Sequence, residues 1–268
     1  MLKQIRNKLR NHGVSGLLGA AARRIVAPRA KCLARCREGV RDRLGLEIGG
    51  PSRIFGDRGL LPLYAAVGQL DNCNFGGETL WEGRLQEGST FVFDRRRPPG
   101  RQFIAEATDL APIAAGRYDF VLSSHALEHS ANPLRALREF TRVMKPSGLL
   151  VLVLPHRDGA FDHRRPVSTL AHLIEDDEQG MREDDLTHLP EILALHDLAL
   201  DPEAGDAAAF KARSERNVEN RCLHHHVFDE SLAAAMVAHA GFRVEAVEFA
   251  PPMNIIVVAG KGVPLQSP

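Results

Sequence analysis

The sequence predicts an α/β fold built on a mainly parallel sheet, with one segment inserted after the fifth strand. Two observations carry this prediction. Short apolar segments alternate with helical patterns from residue 44 onward, as in proteins with parallel sheets. A polar, histidine-rich stretch interrupts the alternation over residues 155–227 before it resumes. The length of 268 residues suits one large domain that carries such an insertion.

Seven apolar segments have the length and composition of strands: 44–48, 65–70, 102–105, 118–123, 149–154, 242–249 and 254–259. The segment 149–154 is continuously apolar, as expected of a strand that is buried on both faces. A helix is predicted before it, because Asn132 is a good N-cap and Pro133 suits the first helical position. A second helix is predicted from Asp229 to Ala240.

Charge is unevenly distributed although the net charge is zero. Residues 1–43 hold twelve Lys and Arg against two acidic residues, a net charge of about +10. We interpret this segment as a basic N-terminal extension that docks on its own domain. The alternative is peripheral contact with an anionic membrane, because Leu2, Ile5 and Leu9 share one helical face. Nucleic acid is not expected as a partner, since the segment has no aromatic residue for base stacking.

The remaining divisions follow from the pattern of elements. We expect an α/β core over 44–154, a histidine-rich cap over 155–227, the rest of the core sheet over 228–260, and a disordered tail over 261–268. No apolar run approaches the ~20 residues of a membrane span, and no signal-peptide pattern is evident. Four scattered cysteines are interpreted as reduced thiols. A cytoplasmic protein is therefore expected, with membrane-peripheral attachment as the alternative.

A glycine turn follows the first predicted strand, in the segment Glu47-Ile48-Gly49-Gly50-Pro51-Ser52. In open α/β sheets, ligands bind outside the carboxyl ends of the strands, and glycine there lets the backbone approach a ligand closely. The turn lacks the G-x-G-x-x-G spacing of dinucleotide-binding proteins, which argues against NAD. The sequence therefore predicts a nucleotide-like ligand at this turn.

Acidic residues follow the next two predicted strands. Asp71 follows the second strand, where a carboxylate can accept hydrogen bonds from both hydroxyls of a ribose. Asp94 competes for this role, but it leaves too little chain for a helix before the strand at 102–105. Asp109 follows the third strand and could accept a hydrogen bond from the amino group of adenine, while Leu110 packs on the adenine ring. Each carboxylate also has a plain structural interpretation as a capping or turn residue.

The segment 118–154 carries the most specific pattern. It contains YDFVLS, then LEH, and then RVMKPSG before the apolar strand. This arrangement resembles class I S-adenosylmethionine (SAM)-dependent methyltransferases of the type 11 group, whose pattern is D-x-V, Leu-Glu-His and Arg-Val-Leu-Lys-Pro-Gly-Gly. The resemblance covers about residues 44–154 and resumes at 228–259. Met144, Ser147 and the Gly50-Pro51 pair depart from the pattern.

The resemblance implies a Rossmann-like, seven-stranded sheet with a reversed final hairpin, and SAM as the methyl donor. It also implies the cofactor contacts of this chain: Glu47, Gly49, Gly50, Pro51 and Ser52 at the methionine end, Asp71 at the ribose, Asp109 and Leu110 at the adenine, and Ser124 and His125 beside the transferable methyl group.

Methyl transfer from a sulfonium needs no protein nucleophile, so the protein must align the two substrates and remove a proton from a hydroxyl acceptor. Histidine suits this proton transfer because its pKa is near neutrality. Eight of the twelve histidines fall between residues 156 and 226. We predict His125, His129 and His163 as the catalytic candidates, the last because Arg164 and Arg165 beside it could bind an anionic group. The alternative is that the insertion is held together by capping and salt-bridge residues.

We assign no metal ligand, but three alternatives were weighed. The segment His125-x-x-Glu128-His129 formally matches an inverted zinc-protease motif, which requires both histidines on one helix. Glu128 and His129 could hold a divalent cation, as in the similar quinone-type O-methyltransferases. Cys222 with the three consecutive histidines at 224–226 could bind zinc, although consecutive residues of a strand point to opposite faces.

We therefore predict a SAM-dependent methyltransferase that acts on an oxygen atom of a small molecule or glycan, with the cap 155–227 selecting the acceptor. The histidines favour an oxygen acceptor, and the basic N-terminus would suit a membrane-associated one. A second class stays open, namely a degenerate methyltransferase-fold protein that binds SAM and serves as a scaffold. The two classes differ in whether an acceptor is turned over.

Overall fold

The structure is a computed structural model that describes residues 28–262. The strands of this range are β1 (Leu44–Ile48), β2 (Gln69–Asn74), β3 (Glu78–Thr79), β4 (Gly83–Arg84), β5 (Gly88–Phe91), β6 (Gly100–Ile104), β7 (Tyr118–Ser124), β8 (Met144–Pro155), β9 (Phe242–Ala250) and β10 (Asn254–Lys261). Its α-helices are α1 (Leu33–Val40), α2 (Pro133–Val143), α3 (Leu170–Gln179), α4 (Leu189–Leu195), α5 (Ala207–Ser214), α6 (Asn217–Asn220) and α7 (Glu230–His239).

Eight strands form one sheet in the order β5-β6-β2-β1-β7-β8-β10-β9. The five strands from β6 to β8 pair in parallel, and β10 runs antiparallel between β8 and β9. The predicted Rossmann-like sheet with a reversed final hairpin is therefore confirmed. The structure adds one strand to the predicted seven, because β5 pairs antiparallel with the outer edge of β6.

Apolar side chains cover both faces of the sheet. Along β8, Leu150, Leu152 and Leu154 pack with residues of α2 and α7, whereas Val151 and Val153 pack in a second cluster with residues of α1. This alternation has the period of two that a strand imposes. The prediction of a strand buried on both faces is confirmed.

Helix α2 begins as its capping residues predict. The Asn132 side chain accepts a hydrogen bond of 2.9 Å from the backbone N–H of Arg135, and Pro133 occupies the first turn. Leu134, Leu137 and Phe140 are buried against the sheet. The helix therefore fixes the path of the chain between β7 and β8.

The second strand lies later in the chain than predicted. Residues 54–67 form turns, in which the backbone N–H groups of Leu63 and Tyr64 both donate to the carbonyl of Phe55. The strand spans Gln69–Asn74 instead of 65–70, since the apolar residues before it pack from these turns. Asp71 is consequently the third residue of β2, and Asn74 is its carboxyl end.

The insertion forms short helices with an apolar cluster of its own. Helices α3 to α6 lie between β8 and α7, and Ile192, Phe210 and Leu223 are among the buried residues of the cluster. The alternating α/β pattern stops here because the chain leaves the sheet and returns to it only at β9.

The residues that precede β1 dock on the last strands. The backbone N–H groups of Lys31 and Cys32 donate to the Glu248 carboxylate at 2.8 and 3.1 Å, and Arg35 pairs with Glu245 at 2.8 Å. The amphipathic face predicted at residues 2–9 lies outside the described residues, as do residues 263–268 of the predicted tail. Among the helices that the structure describes, none combines the length and apolar character needed to cross a membrane.

Candidate active site

A cavity of about 380 Å³ opens at the carboxyl edge of the sheet. Residues that follow β1, β2 and β6, together with the last residue of β7, form one side of it. The β3–β4 hairpin and the insertion form the other side, where Trp81 and His224 contribute. Residues distant in the sequence meet here because parallel strands end at the same edge.

The glycine turn after β1 lines the cavity through Gly49, Pro51 and Ser52. Gly49 has a φ of 76°, a left-handed conformation that glycine adopts readily, and its N–H donates to the Cys73 carbonyl at 2.9 Å. Gly50 lies behind the cavity wall, where it donates to the Asn72 side chain at 3.0 Å. Gly50 therefore supports the turn and lies outside the cavity wall, unlike the neighbouring Gly49 and Pro51.

Glu47 is also a support of this turn. Its buried carboxylate accepts hydrogen bonds from the backbone N–H of Ser52 (2.9 Å) and from the hydroxyl of Tyr64 (2.9 Å). Burial raises the pKa of Glu47 to about 8, although both hydrogen bonds act in the opposite direction. The predicted contact with the methionine end of the cofactor is corrected, because the carboxylate is engaged with the turn.

Asp71 is buried in the middle of β2, away from the cavity. Its carboxylate accepts hydrogen bonds from the Tyr118 hydroxyl (2.9 Å) and the Arg117 guanidinium (3.0 Å). The ribose assignment of Asp71 is therefore corrected, and the competing Asp94 also lies outside the cavity wall. Asn74, the carboxyl end of β2, lines the cavity instead.

The two residues predicted at the adenine, Asp109 and Leu110, also lie outside the cavity wall. Leu110 is fully buried in the core, and the Asp109 carboxylate accepts a hydrogen bond from the backbone N–H of Ala111 at 3.2 Å. The cavity is lined by Glu106 and Ala107, which lie closer to the end of β6. The signal that could have identified Glu106 is its position as the first acidic residue after that strand.

Ser124 and His125, which the resemblance places beside the transferable methyl group, lie on the cavity wall at the end of β7. The buried Ser124 hydroxyl has no hydrogen-bond partner in the part of the chain that the structure describes. His125 has a φ of 49°, and its N–H donates to the Val153 carbonyl at 3.0 Å. Its Nε2 lies 2.9 Å from the Asn254 side-chain oxygen, so this nitrogen donates and Nδ1 faces Glu128.

Glu128 is a fully buried carboxyl group on the same wall. Neither of its oxygens has a hydrogen-bond partner among residues 28–262. His125 Nδ1 lies 3.6 Å and His129 Nε2 lies 4.0 Å from Glu128 Oε1. Burial raises the pKa of Glu128, and the charges of His125 and His224 oppose that effect. An unpartnered buried carboxyl is uncommon and indicates a group that awaits a ligand.

His129 is held by a backbone carbonyl from the insertion. Its Nδ1 lies 3.1 Å from the Leu223 oxygen, which can only accept, so Nδ1 carries the proton and Nε2 faces Glu128. Burial lowers the pKa of His129 well below its ordinary value, which keeps the ring neutral. The Trp81 ring lies over it, with 5.2 Å between the ring centroids.

The three consecutive histidines of the insertion diverge. His224 lines the cavity, its ring 4.7 Å from that of His129, and its Nδ1 lies 2.9 Å from Asp162 Oδ2. Burial alone would lower the pKa of His224, but the Asp162 carboxylate outweighs it and raises that pKa. His225 contacts the Asn217 side chain at 3.1 Å, and His226 joins a different cluster. They do not meet Cys222 in one zinc site, in agreement with the alternation expected of an extended chain.

His163 is placed outside the cavity, which corrects its prediction as a catalytic base. Its Nε2 lies 3.1 Å from the Asp197 carboxylate, which also accepts from Arg164 at 2.8 Å. Arg165 is buried and donates to the backbone carbonyl of His224 at 2.7 Å. These residues hold the insertion together, as the structural alternative proposed.

The inverted zinc-protease interpretation fails on backbone geometry. Leu127–His129 is a single 3₁₀ turn, and His125 precedes it with a positive φ. The two histidines therefore do not share one helical face, which that motif requires. The structure adds His224 as a third candidate ligand to the divalent-cation alternative. Ligand atoms of Glu128, His129 and His224 all lie within 4.8 Å of one another.

Comparison with known proteins identifies a methyltransferase domain. A family model of that description matches residues 89–152. Among solved structures, 1,6-didemethyltoxoflavin-N1-methyltransferase from Burkholderia thailandensis superposes with a TM-score of 0.47 and 12% identity, covering 87% of this chain and 79% of that one. Two SAM-dependent methyltransferases are also similar. The one from Mesorhizobium loti has a TM-score of 0.46 and 13% identity, with 86% of this chain and 98% of that one covered. The one from Aquifex aeolicus has a TM-score of 0.42 and 14% identity, with 86% of this chain and 89% of that one covered. No curated protein matches the sequence.

The sheet order, the cavity at its carboxyl edge and the family match define the class of this chain, a class I methyltransferase fold. The resemblance predicted from residues 118–154 is confirmed. SAM is the methyl donor of that class, which is the cofactor that the resemblance implies.

Proposed function

We propose that this protein transfers the methyl group of SAM to an oxygen atom of a small-molecule or glycan acceptor. One observation carries the proposal. The buried, unpartnered carboxyl group of Glu128 and the histidines around it share a cavity with the strand-end residues that suit SAM. A donor site and a proton-accepting site thus face the same space.

The residues on the strand-end side fit SAM. The buried Ser124 hydroxyl lacks a partner among the described residues and can bond to the amino-acid end of the cofactor. Asn74 stands at the end of β2, the position assigned to the ribose, and its amide can donate to a hydroxyl oxygen. Glu106 follows β6, where its carboxylate can accept a hydrogen bond from the amino group of adenine. Arg221 forms an ion pair with it.

The histidines on the opposite side of the cavity remove the proton of the acceptor hydroxyl. The sulfonium of SAM provides an electrophilic methyl carbon, and the acceptor oxygen forms a bond to that carbon as the sulfur–carbon bond breaks. The proton of the acceptor hydroxyl passes to Nε2 of His129, and S-adenosylhomocysteine leaves. The Leu223 carbonyl fixes the ring so that Nε2 is the accepting atom, and Glu128 beside it stabilises the imidazolium that forms.

The same residues fit a divalent cation. Leu223 and Asp162 hold the Nδ1 atoms of His129 and His224, which leaves both Nε2 atoms and the Glu128 oxygens as ligand atoms. A cation there would lower the pKa of the acceptor hydroxyl. Either route ends in an activated acceptor oxygen.

The outer wall supports a hydroxylated ring as the acceptor. Trp81 is 51% exposed and presents an apolar ring at the mouth of the cavity. Glu82, Glu183 and Glu203 also line the cavity, and carboxyl groups can bond to acceptor hydroxyls. An apolar platform bordered by polar groups suits a sugar or a comparable polyol.

A turnover assay tests this proposal. The full-length protein is incubated with SAM and a panel of monosaccharides, glycosides, phenols and amines, with and without Mg²⁺, while S-adenosylhomocysteine release is measured. We expect release with a hydroxyl-bearing acceptor, and a mass increase of one methyl group on oxygen. Methylation of amines alone would refute the oxygen assignment. SAM binding in calorimetry without turnover of any acceptor would favour the scaffold alternative.

A further inference from the structure

A second cluster of histidines lies within the insertion, outside the proposed active site. His172 and Asp176 lie one turn apart on α3, His188 precedes α4, and His226 lies in the segment that leads to α7. All four residues stand apart from the wall of the large cavity. We propose that they bind one Zn²⁺ ion, in a structural site that does not depend on the proposed function.

The distances between the ligand atoms fit one tetrahedral ion. His172 Nε2 lies 3.1 Å from His188 Nε2 and 3.3 Å from Asp176 Oδ2, and His226 Nε2 lies 3.6 Å from the same oxygen. Four ligands at the usual Zn–N and Zn–O distances of about 2.0–2.1 Å are separated by about 3.3 Å. These three separations lie on both sides of that value, and all four ligand atoms lie within 4.8 Å of one another, so side-chain shifts can place them around one ion.

The hydrogen bonding of this cluster is incomplete without an ion. Asp176 Oδ2 is buried and has no hydrogen-bond partner anywhere in 28–262. His226 Nε2, the ring atom nearest this oxygen, lies 3.3 Å from the Ala131 carbonyl, which is long for a hydrogen bond. Buried polar atoms of this kind are costly unless a ligand satisfies them.

The chemistry of the four residues favours zinc over other cations. Three imidazoles and one carboxylate form a nitrogen-rich set that Mg²⁺ and Ca²⁺ disfavour, since those cations prefer oxygen ligands. With four protein ligands, two of them nearly inaccessible to solvent, the set resembles a closed structural site more than a catalytic one.

The position of the site indicates what the ion would stabilise. It would join α3, the start of α4 and the chain at His226, three segments that are distant in the sequence. His226 is two residues after His224, which lines the large cavity. A metal ion here would therefore hold the insertion in the arrangement that brings His224 to Glu128 and His129.

The experiment compares the zinc content of matched variants of the full-length protein. Each is purified, loaded with excess Zn²⁺, dialysed and analysed for metal by mass spectrometry. His188→Gln and Asp176→Asn should each contain one zinc ion per chain fewer than the wild type. The control His163→Asn removes a histidine of the same insertion outside the cluster and should retain the wild-type content. Because the comparison is a difference, an ion at Glu128 does not affect it.

Two measurements on proteins with an unchanged cluster cover the case in which a cluster variant fails to fold. X-ray absorption of the zinc-loaded Glu128→Gln protein should show three nitrogen ligands and one oxygen ligand at about 2.0–2.1 Å. Zinc should also raise the Tm of the wild type, and a chelator should reverse the increase. The proposal is overturned if zinc does not bind, if His188→Gln and Asp176→Asn retain it, or if Glu128→Gln alone removes it.

Discussion

The Nδ1 atom of His129 donates a hydrogen bond of 3.1 Å to the carbonyl oxygen of Leu223. This bond joins the turn after β7 to the inserted segment and orients Nε2 of the ring toward Glu128. The protonation pattern of the proposed base is therefore set by a backbone atom of the insertion, which also forms one side of the cavity.

The first prediction concerns His129 and His163, two of the three histidines predicted from the sequence as bases. His129→Gln should lower kcat by about 10²- to 10⁴-fold, because the proton acceptor is lost. His163→Asn should keep kcat within about twofold of the wild-type value, since the His163 ring contacts the Asp197 carboxylate outside the cavity. S-adenosylhomocysteine release under saturating substrates is the measurement. A large loss of kcat in His163→Asn, together with an unchanged kcat in His129→Gln, would identify His163 rather than His129 as the base.

The second prediction separates the corrected cofactor contacts from the original ones. Glu106→Gln should weaken S-adenosylhomocysteine binding about 10-fold or more, because a charged hydrogen-bond acceptor contributes about 1.5–3 kcal/mol. Asp71→Asn should leave the Kd unchanged while lowering the free energy of unfolding by about 2 kcal/mol, because it disturbs the bonds from Tyr118 and Arg117. Calorimetry and denaturant unfolding measure the two effects. Weaker binding in Asp71→Asn alone would restore the earlier assignment.

The third prediction concerns the pH dependence of stability. The pKa of Glu47 is raised from 4.5 to about 8 by burial, so between these values the unfolded chain releases a proton that the folded protein keeps. The contribution of Glu47 to the free energy of unfolding therefore falls as the pH rises through this window, by up to about 5 kcal/mol. Glu47→Gln should remove this decline.

The measurement for Glu47 is urea unfolding at several pH values between 5 and 8. Glu78→Gln serves as the matched control, because that side chain is 71% exposed. Its curve should run parallel to the wild type, whereas that of Glu47→Gln should be flatter. Parallel curves for all three proteins would show that Glu47 ionises normally in the folded state.

The fourth prediction concerns the strand that positions Glu106. A Cβ at Gly100 would lie 1.6 Å from the Leu70 carbonyl oxygen, so Gly100→Ala must push β6 away from β2. We expect a loss of about 3 kcal/mol or more in the free energy of unfolding. Gly76→Ala is the control, since its nearest contact would be 3.5 Å. Equal stability of the two variants would show that β6 does not lie against β2 as described.

The fifth prediction concerns Trp81 at the mouth of the cavity. Trp81→Ala should raise KM for the acceptor about 10-fold while leaving the Kd of S-adenosylhomocysteine unchanged, because the ring faces the histidine side. Val92→Ala, another exposed apolar side chain, is the control. An unchanged KM in Trp81→Ala would show that the Trp81 ring does not contact the acceptor.

Errors in the predicted cofactor contacts came from small displacements along the chain. The strand taken as 65–70 ends at Asn74, which moves the cavity-facing position away from Asp71. The adenine position moves from Asp109 to Glu106 for a related reason, since the carboxyl end of β6 rather than the next turn faces the cavity. Apolar patterning identifies a strand well but locates its ends only within a few residues.

The residues around Glu128 were only partly accessible to sequence reasoning. Glu128 and His129 stand next to each other in a recognisable motif, whereas His224 and Leu223 come from a segment more than ninety residues later. The insertion has no repeating pattern that predicts its path. Which of its histidines reach the cavity is therefore not predictable from the sequence: the sequence predicts His163, whereas His224 lines the cavity in the structure.

By itself the sequence determined the α/β class, the glycine turn at Gly49 and the capped helix at Asn132, whereas SAM is implied only by the family resemblance. These features depend on backbone geometry and apolar periodicity over a few residues, so a linear pattern contains them. Only the tertiary structure decided that His224 meets Glu128 and that His226 meets His172. Such contacts depend on how distant segments pack, and the burial that drives this packing is non-directional and leaves no local pattern.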